Sequence, residues 1–340
     1  MHKLGPELFG RLTGGLTLDY SKYAEAYTVP DGQFDCSRML DGSHEPEPAE
    51  CVFCGRKLRY ERMELEDGSF LCWNAEPERC TCEQSRAWWE ELIAREREQA
   101  AEEEMRKKAA LHQQLLENAI GRSGLPPASR RTFDTFVPET PDLLRSLELC
   151  RGYAEMFPER LSLGQGMILQ GNVGTGKTHL AASVALHIMD RGLGSVIWRE
   201  EAQVMLDFRS AYGRGPSAGS AQKSEKDVLQ AYLSCDLLVL DDVGKDRETE
   251  WSISKLFSVL NGRYELGRPT VITTNLDRDE MSRKFAHAEQ GGQGSGGWTA
   301  AAIMSRLGDA ERFLTVHVQG RDYRTKPGMP SWARDVLRGA

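Results

Sequence analysis

Apolar residues recur along this chain in two rhythms, and the change from one to the other divides it. In the second half, short runs at about 166–170, 195–199, 236–241, 269–274 and 312–318, rich in Val, Ile, Leu or Phe, predict five strands. Between them the spacing is helical, most clearly at Ile253, Leu256, Phe257 and Leu260, which share one buried helix face. Such alternation predicts an α/β fold: a mainly parallel five-stranded sheet covered on both sides, with ligands bound beyond the carboxyl ends of its strands. The first half reads differently. From Glu83 to about Ile120 a highly charged stretch almost without breakers predicts one long helix. It is apolar at its start, through Trp88, Trp89, Leu92 and Ile93, and solvated beyond, where Arg95 to Lys108 predicts an exposed face laced with ion pairs. Those aromatics suit either an anchor for a partner or packing on the segment before them.

Glycine and proline mark the joints. The run Gly121–Pro127 ends the helical pattern, and residues 1–50 mix glycine, proline and acidic residues without sustained periodicity. The expected organisation is therefore an accessory segment 1–50, a cysteine module 51–82, a long helix 83–120, a linker 121–127, a nucleotide-binding domain 128–326 and a tail 327–340.

The ends of the expected strands carry the chemistry. Gly166–Gln170 feeds a loop of Gly171, Asn172, Val173, Gly174, Thr175 and Gly176, followed by Lys177, Thr178 and His179 at the start of the helix Thr178–Met189. Two glycines bracketing four residues before Lys-Thr form a phosphate loop: the backbone turns tightly, its N–H groups converge on phosphates, and the helix start adds partial positive charge. The pattern predicts nucleoside triphosphate binding, with Lys177 on the outer phosphates and the Thr178 hydroxyl on Mg2+. Leu237–Leu240 delivers Asp241 and Asp242 at a strand end, a Walker B arrangement in which Asp241 holds magnesium and Asp242 orients the attacking water. Asn275, ending the strand Val271–Thr274, is a candidate hydrogen-bond donor to that water or to the terminal phosphate, or else a turn-forming residue.

Composition narrows the class. Of 340 residues 28% are charged and 40% apolar, no apolar run is long enough to span a bilayer, and the N-terminus lacks a signal-peptide order, so a cytoplasmic protein with no membrane role is expected. A net charge of −8 argues against a surface that grips nucleic acid everywhere, while leaving room for a local basic groove. Five of the eight cysteines fall between Cys51 and Cys82. The pairs Cys51/Cys54 and Cys80/Cys82 suit a tetrahedral Zn2+ with a structural role, Gly55 relieves the first knuckle, and Cys72 is an alternative ligand or a buried thiol.

Several motifs occur in a telling order: the phosphate loop continued as Thr-His-Leu-Ala, Leu-Leu-Val-Leu-Asp-Asp before Val243-Gly244, Asn-Gly-Arg263-Tyr264, Thr-Thr-Asn-Leu and Ser-Arg306-Leu. From about residue 120 to 326 the chain resembles the DnaC/IstB-like branch of AAA+ ATPases, including the Ser-Gly-Leu-Pro-Pro lead-in before Phe133 and Phe136. The resemblance implies a AAA+ P-loop ATPase of the bacterial or phage replicative helicase loader type. It puts Asn275 at the sensor 1 position and makes Arg306 an arginine finger that completes a neighbouring subunit's site on self-association. Arg324 becomes a candidate second sensor, although this branch lacks the helical lid that normally carries one. Asp242 departs from the glutamate common in AAA+ proteins but matches the Asp-Asp of this branch. The implied partners are a replicative DNA helicase of the DnaB type, engaged by the zinc module, and single-stranded DNA. For the latter, the loop Gly213–Ser220 with Arg209, Arg214, Lys223 and Lys226 is a candidate contact. An IstB-type transposition helper that binds DNA and recruits a transposase is the alternative, and a nucleotide-binding adaptor without turnover a third. The cysteine module and long helix favour the loader.

Overall fold

The computed structural model describes residues 26–28, 47–64, 70–211, 224–245, 248–290 and 298–323, with the side chains of 27–28, 62–64, 70–76 and 290 excepted. The loop Gly213–Ser220, the glycine-rich stretch 291–297, Arg324, the tail and the side chain of Cys72 lie outside the described residues. Contacts divide the chain into two units, Met1–Ala109 and Ala110–Ala340.

In the first unit β1 (Tyr27–Thr28), β2 (Ala49–Cys51) and β3 (Lys57–Leu58) form a small antiparallel sheet, and β4 (Tyr60–Glu64) pairs with β5 (Phe70–Pro77) as a second. The helix α1 (Glu83–Ser123) follows and runs across the boundary between the units. It continues through Gly121 and ends at Gly124, whose φ of +82° suits a residue without Cβ. Its middle is solvated, as the charge pattern predicts, and buried side chains return at its two ends, Trp89 and Ile120 among them.

The second unit continues through α2 (Pro141–Glu155), α3 (Phe157–Leu163), β6 (Gly166–Gln170), α4 (Lys177–Asp190), β7 (Val196–Glu200), α5 (Glu201–Ala211), α6 (Glu225–Ser234), β8 (Leu237–Val243), α7 (Glu250–Glu265), β9 (Thr270–Thr274), α8 (Arg278–Gln290), α9 (Trp298–Leu307) and β10 (Phe313–His317). All five expected strands are present, in a wholly parallel sheet of order β10-β6-β9-β8-β7. Helix starts follow local chemistry. Thr140 accepts the Leu143 amide ahead of Pro141, and Ser224 with Asp227 and Thr249 with Ser252 close capping boxes that start α6 and α7.

Alternation along the strands builds two cores. Met167, Leu169, Leu237, Val239 and Val271 face α2 and α4, burying Leu143, Leu147, Leu180, Val184 and Ile188. Ile168, Leu238, Leu240 and Ile272 face the other way, onto Ile253, Leu256, Val259 and Leu260 of α7 and onto α8 and α9. Because β8 and β9 are covered on both faces they are buried almost throughout, whereas the edge strand β10 leaves Leu314, Thr315 and His317 exposed. Among the described residues no helix is long and apolar enough to cross a membrane.

Candidate functional site

Sheet order decides what meets at the carboxyl edge. The strand ending in Asn275 lies between β6, which feeds the phosphate loop, and β8, which carries the aspartates. Gln170 and Val243 both pair with Thr274, and the Gly171 amide donates to the Thr274 carbonyl at 3.2 Å. Lys177 is buried, and its ammonium group donates to the Asn172 carbonyl at 2.7 Å and to Asn275 Oδ1 at 2.7 Å. Thr178 Oγ1 donates to Asp241 Oδ1 at 3.0 Å. Lys177, Thr178, Asp241 and Asn275 thus share one cleft, in the relation their spacing predicts.

The loop's glycines are sterically required. Gly174 and Gly176 have φ of +76° and +101°, and a Cβ on Gly174 would lie 1.8 Å from Asp322 Oδ1. A Cβ on Gly176 would meet the Phe136 ring at 2.6 Å. The loop is therefore held between the lead-in segment and the chain after β10, where the Tyr323 amide donates to the Gly174 carbonyl at 3.0 Å. His179 faces that lead-in: its Nε2 lies 2.9 Å from the Thr132 carbonyl and 3.1 Å from Thr135 Oγ1, and its ring packs edge-on against Phe136. Burial, with a smaller contribution from Arg131, holds this imidazole below its ordinary pKa.

Asp241 and Asp242 occupy an irregularity in the sheet. The β8–β9 register shifts between Leu240 and Val243, and Asp242 takes φ +58°, the one positive value at a non-glycine among the described residues. Thr273 holds the irregularity together: its hydroxyl donates to Asp241 Oδ1 at 2.6 Å and accepts the Asp242 amide at 2.8 Å. Sequence spacing gives Thr273 no role, although it lies inside the Thr-Thr-Asn motif, since only the register reveals what it faces. Burial pushes the Asp241 carboxyl up, joined by repulsion from Asp242 and opposed by the hydroxyls of Thr273 and Thr178. A divalent cation would offset that cost. Two convergent oxygen ligands, Thr178 and Asp241, fit Mg2+, which keeps several waters and the phosphates for its remaining positions. Asp242 pairs with Lys245 at 3.0 Å.

Arg306 is set elsewhere, at the contact of α9 with α7. Its guanidinium donates to the Ala302 carbonyl at 3.0 Å, reaches Glu265 at 3.9 Å, and lies over the rings of Phe257 and Tyr264 at 5.3 and 5.8 Å.

The cysteine cluster belongs to the first unit. Sulfurs of Cys51, Cys54, Cys80 and Cys82 all lie within 4.8 Å of one another, with Cys51–Cys82 at 3.9 Å and Cys54–Cys80 at 3.5 Å. Four thiolates at Zn–S of about 2.3 Å in a tetrahedron stand about 3.8 Å apart, so the donor set has the size and chemistry for zinc. Gly55, φ +69°, turns the first knuckle, closed by its amide on the Cys51 carbonyl at 2.8 Å. Trp88, Trp89 and Leu92 pack into the same cluster as Cys51, Cys80 and Cys82, which decides the open question about the helix start in favour of packing on the module.

The family model described as IstB-like ATP binding protein matches residues 161–327. The replicative helicase loader DnaC of Escherichia coli (strain K12) is 27% identical over 195 residues, which is 57% of this chain and 76% of that protein. The protein of the same name from Buchnera aphidicola subsp. Acyrthosiphon pisum (strain APS) is 26% identical over 196 residues, 56% and 75% of the two chains. Among solved structures, the crystal structure of the DnaC helicase loader is 21% identical with a TM-score of 0.46, covering 57% of this chain and 100% of that one.

Proposed function

From the match of residues 161–327 to the IstB-like ATP binding model and the likeness to replicative helicase loaders, we propose that this chain is a AAA+ protein of the DnaC/IstB-like branch that binds and hydrolyses ATP and uses that cycle to deliver a replicative helicase of the DnaB type onto single-stranded DNA. One observation carries the ATPase part: Lys177 bonded to Asn275, and Thr178 bonded to Asp241, at one strand-end cleft. Amides of the phosphate loop and Lys177 would bind the phosphates, while Thr178 and Asp241 would hold Mg2+, which supplies positive charge between the phosphate oxygens. Asp242 would orient the attacking water and Asn275 would hold the outer phosphate or that water. Arg306 would act on the nucleotide of a neighbouring copy, a role supported by its placement away from its own phosphate loop.

The loader reading rests on the relatives named as replicative helicase loaders and on the cysteine module that precedes the ATPase domain. Zinc in that module would have a structural role, since four thiolates leave no open coordination position. The family description equally names IstB, so a transposition helper is the competing reading.

Two measurements test the proposal. Lys177→Ala removes a charge-assisted contact and should weaken ATP binding by roughly two orders of magnitude, read by titration calorimetry; unchanged affinity refutes the site. Affinity capture from the native host with the full-length chain and with residues 122–340 should recover helicase only with the former. Recovery of a transposase instead would reverse the ranking.

A further inference from the structure

The turn that follows the two aspartates is gripped by side chains from outside the motif. Gly244, φ +80°, donates its amide to Glu201 Oε2 at 2.7 Å, and its carbonyl accepts from Lys284 Nζ. One residue earlier the Val243 carbonyl accepts from Thr274 Oγ1 at 2.8 Å. Glu201 is the first residue of α5, buried to 4% exposure, and Lys284 lies on α8, so two helices from different parts of the chain close on a single glycine. Burying a carboxylate there is costly.

We infer that Glu201 and Lys284 are positioning residues that clamp the amide and carbonyl of Gly244 and thereby hold Asp242 in its left-handed conformation for catalysis. This rests on Asp242 orienting the attacking water. Left-handed backbone at an aspartate relaxes unless its surroundings enforce it. Here Thr273 fixes the amide of Asp242 and the clamp fixes Gly244, leaving Asp242 little freedom to turn.

The clamp also holds a raised carboxyl. Glu201 and Glu248, in the segment before α7, interact side chain to side chain, and each has a buried oxygen, Oε1, with no donor. A proton on Glu201 supplies the donor that the pair lacks. Burial, then repulsion from Glu248, pushes Glu201 up to about 8, opposed by the Gly244 amide and Lys284. Ser252 donates to Glu248 Oε2 at 2.8 Å, and Glu200 and the Asp242–Lys245 pair are the other charges of the adjoining strand and turn. Above that pH Glu201 ionises and is repelled by Glu248, and the grip on Gly244 loosens.

ATP affinity and steady-state turnover of the full-length chain with Mg2+ test this. Glu201→Ala and Lys284→Met should each lower kcat by between about ten- and a hundredfold at unchanged ATP affinity. Glu201→Gln, whose amide oxygen still accepts the Gly244 N–H, should restore most of the turnover and remove the alkaline decline near pH 8. Wild-type turnover in Glu201→Ala, or equal loss in Glu201→Ala and Glu201→Gln, overturns the inference. If the wild-type chain binds ATP without hydrolysing it, the ATPase reading fails and hydrogen exchange decides the clamp. Protection at the Gly244 amide that is lost in Glu201→Ala and kept in Glu201→Gln upholds it, and unchanged protection in Glu201→Ala overturns it.

Discussion

The cysteine module and the second unit differ in what they bury. Seven buried residues form the cluster of the first, two of them thiol ligand candidates, whereas the second has clusters of 27 and 21 on the two faces of its sheet, counted among the described residues. In small domains with four-thiolate sites, metal ligation supplies folding free energy directly. The second unit buries apolar clusters on both faces of its sheet, and its strand ends carry charges that oppose stability, Asp241 first among them.

The sharpest way to break this contrast is to remove the metal. A strong chelator, or Cys54→Ser, should unfold the module outright, since structural zinc contributes on the order of 10 kcal/mol in small domains. The second unit should keep its ATP affinity. Metal analysis of reduced protein with proteolysis of residues 47–82 reads the first effect, and calorimetry the second. A module that stays protease-resistant without metal would mean that the four thiols are held by packing.

The next largest effect should come from Arg263, where the second unit departs from a purely apolar core. This side chain is fully buried, and its guanidinium bonds the carbonyls of Tyr232, Cys235, Asp236 and Pro269 and the hydroxyl of Thr270. It joins the end of α6 to the starts of β8 and β9. Arg263→Met should cost about 3–5 kcal/mol in urea unfolding, because it strands those acceptors. A cost under about 1 kcal/mol would show the seam to be dispensable.

These residues also mark what the sequence makes legible. Strands, phosphate loop and aspartate pair are local patterns, and each falls within two residues of its expected place. Arg263 stands in a recognisable motif, yet its burial depends on three elements meeting, which no local pattern encodes. The same holds for Thr273, whose role appears only when β9 is set beside an irregular β8. Periodicity points His179 at the nucleotide because it follows the loop, whereas its ring is taken by Thr132, Thr135 and Phe136 of a segment far earlier in the chain. Cysteine spacing leaves the ligand set open, and the fold-back to Cys80 and Cys82 brings four sulfurs together.

Smaller, and opposite in sign within one unit, are two effects of pH. Burial pushes Asp207 up, but the hydroxyl of Tyr232, Gln203 and Arg199 outweigh it and hold the carboxyl below its ordinary 3.8. Its stabilisation is present above 3.8 and is lost as pH falls through the lowered value. Glu201 behaves inversely: raised from 4.5 to about 8, it binds its proton more tightly in the folded state, so its stabilisation is full below 4.5 and is lost as pH rises toward 8. Asp207→Asn should lower stability by about 1–2 kcal/mol at neutral pH and flatten only the acid limb; Glu201→Gln should flatten only the rise in stability from pH 8 down to 4.5.

The smallest effect is expected where the charge pattern is densest. On α1, Lys107 pairs with Glu103 and Lys108 with Glu104, both at 2.7 Å and one helical turn apart, with all four side chains more than half exposed. Lys107 lowers the Glu103 carboxyl, but water screens the pair and two long side chains lose rotamer freedom to form it. The double substitution Lys107→Ala, Lys108→Ala should therefore leave the thermal unfolding midpoint unresolved from wild type at low and at high salt. Alanine's better helix propensity opposes whatever the ion pairs contribute. A salt-dependent fall in the midpoint would place the helix in a third class, held by its own charges instead of by an apolar core or a metal.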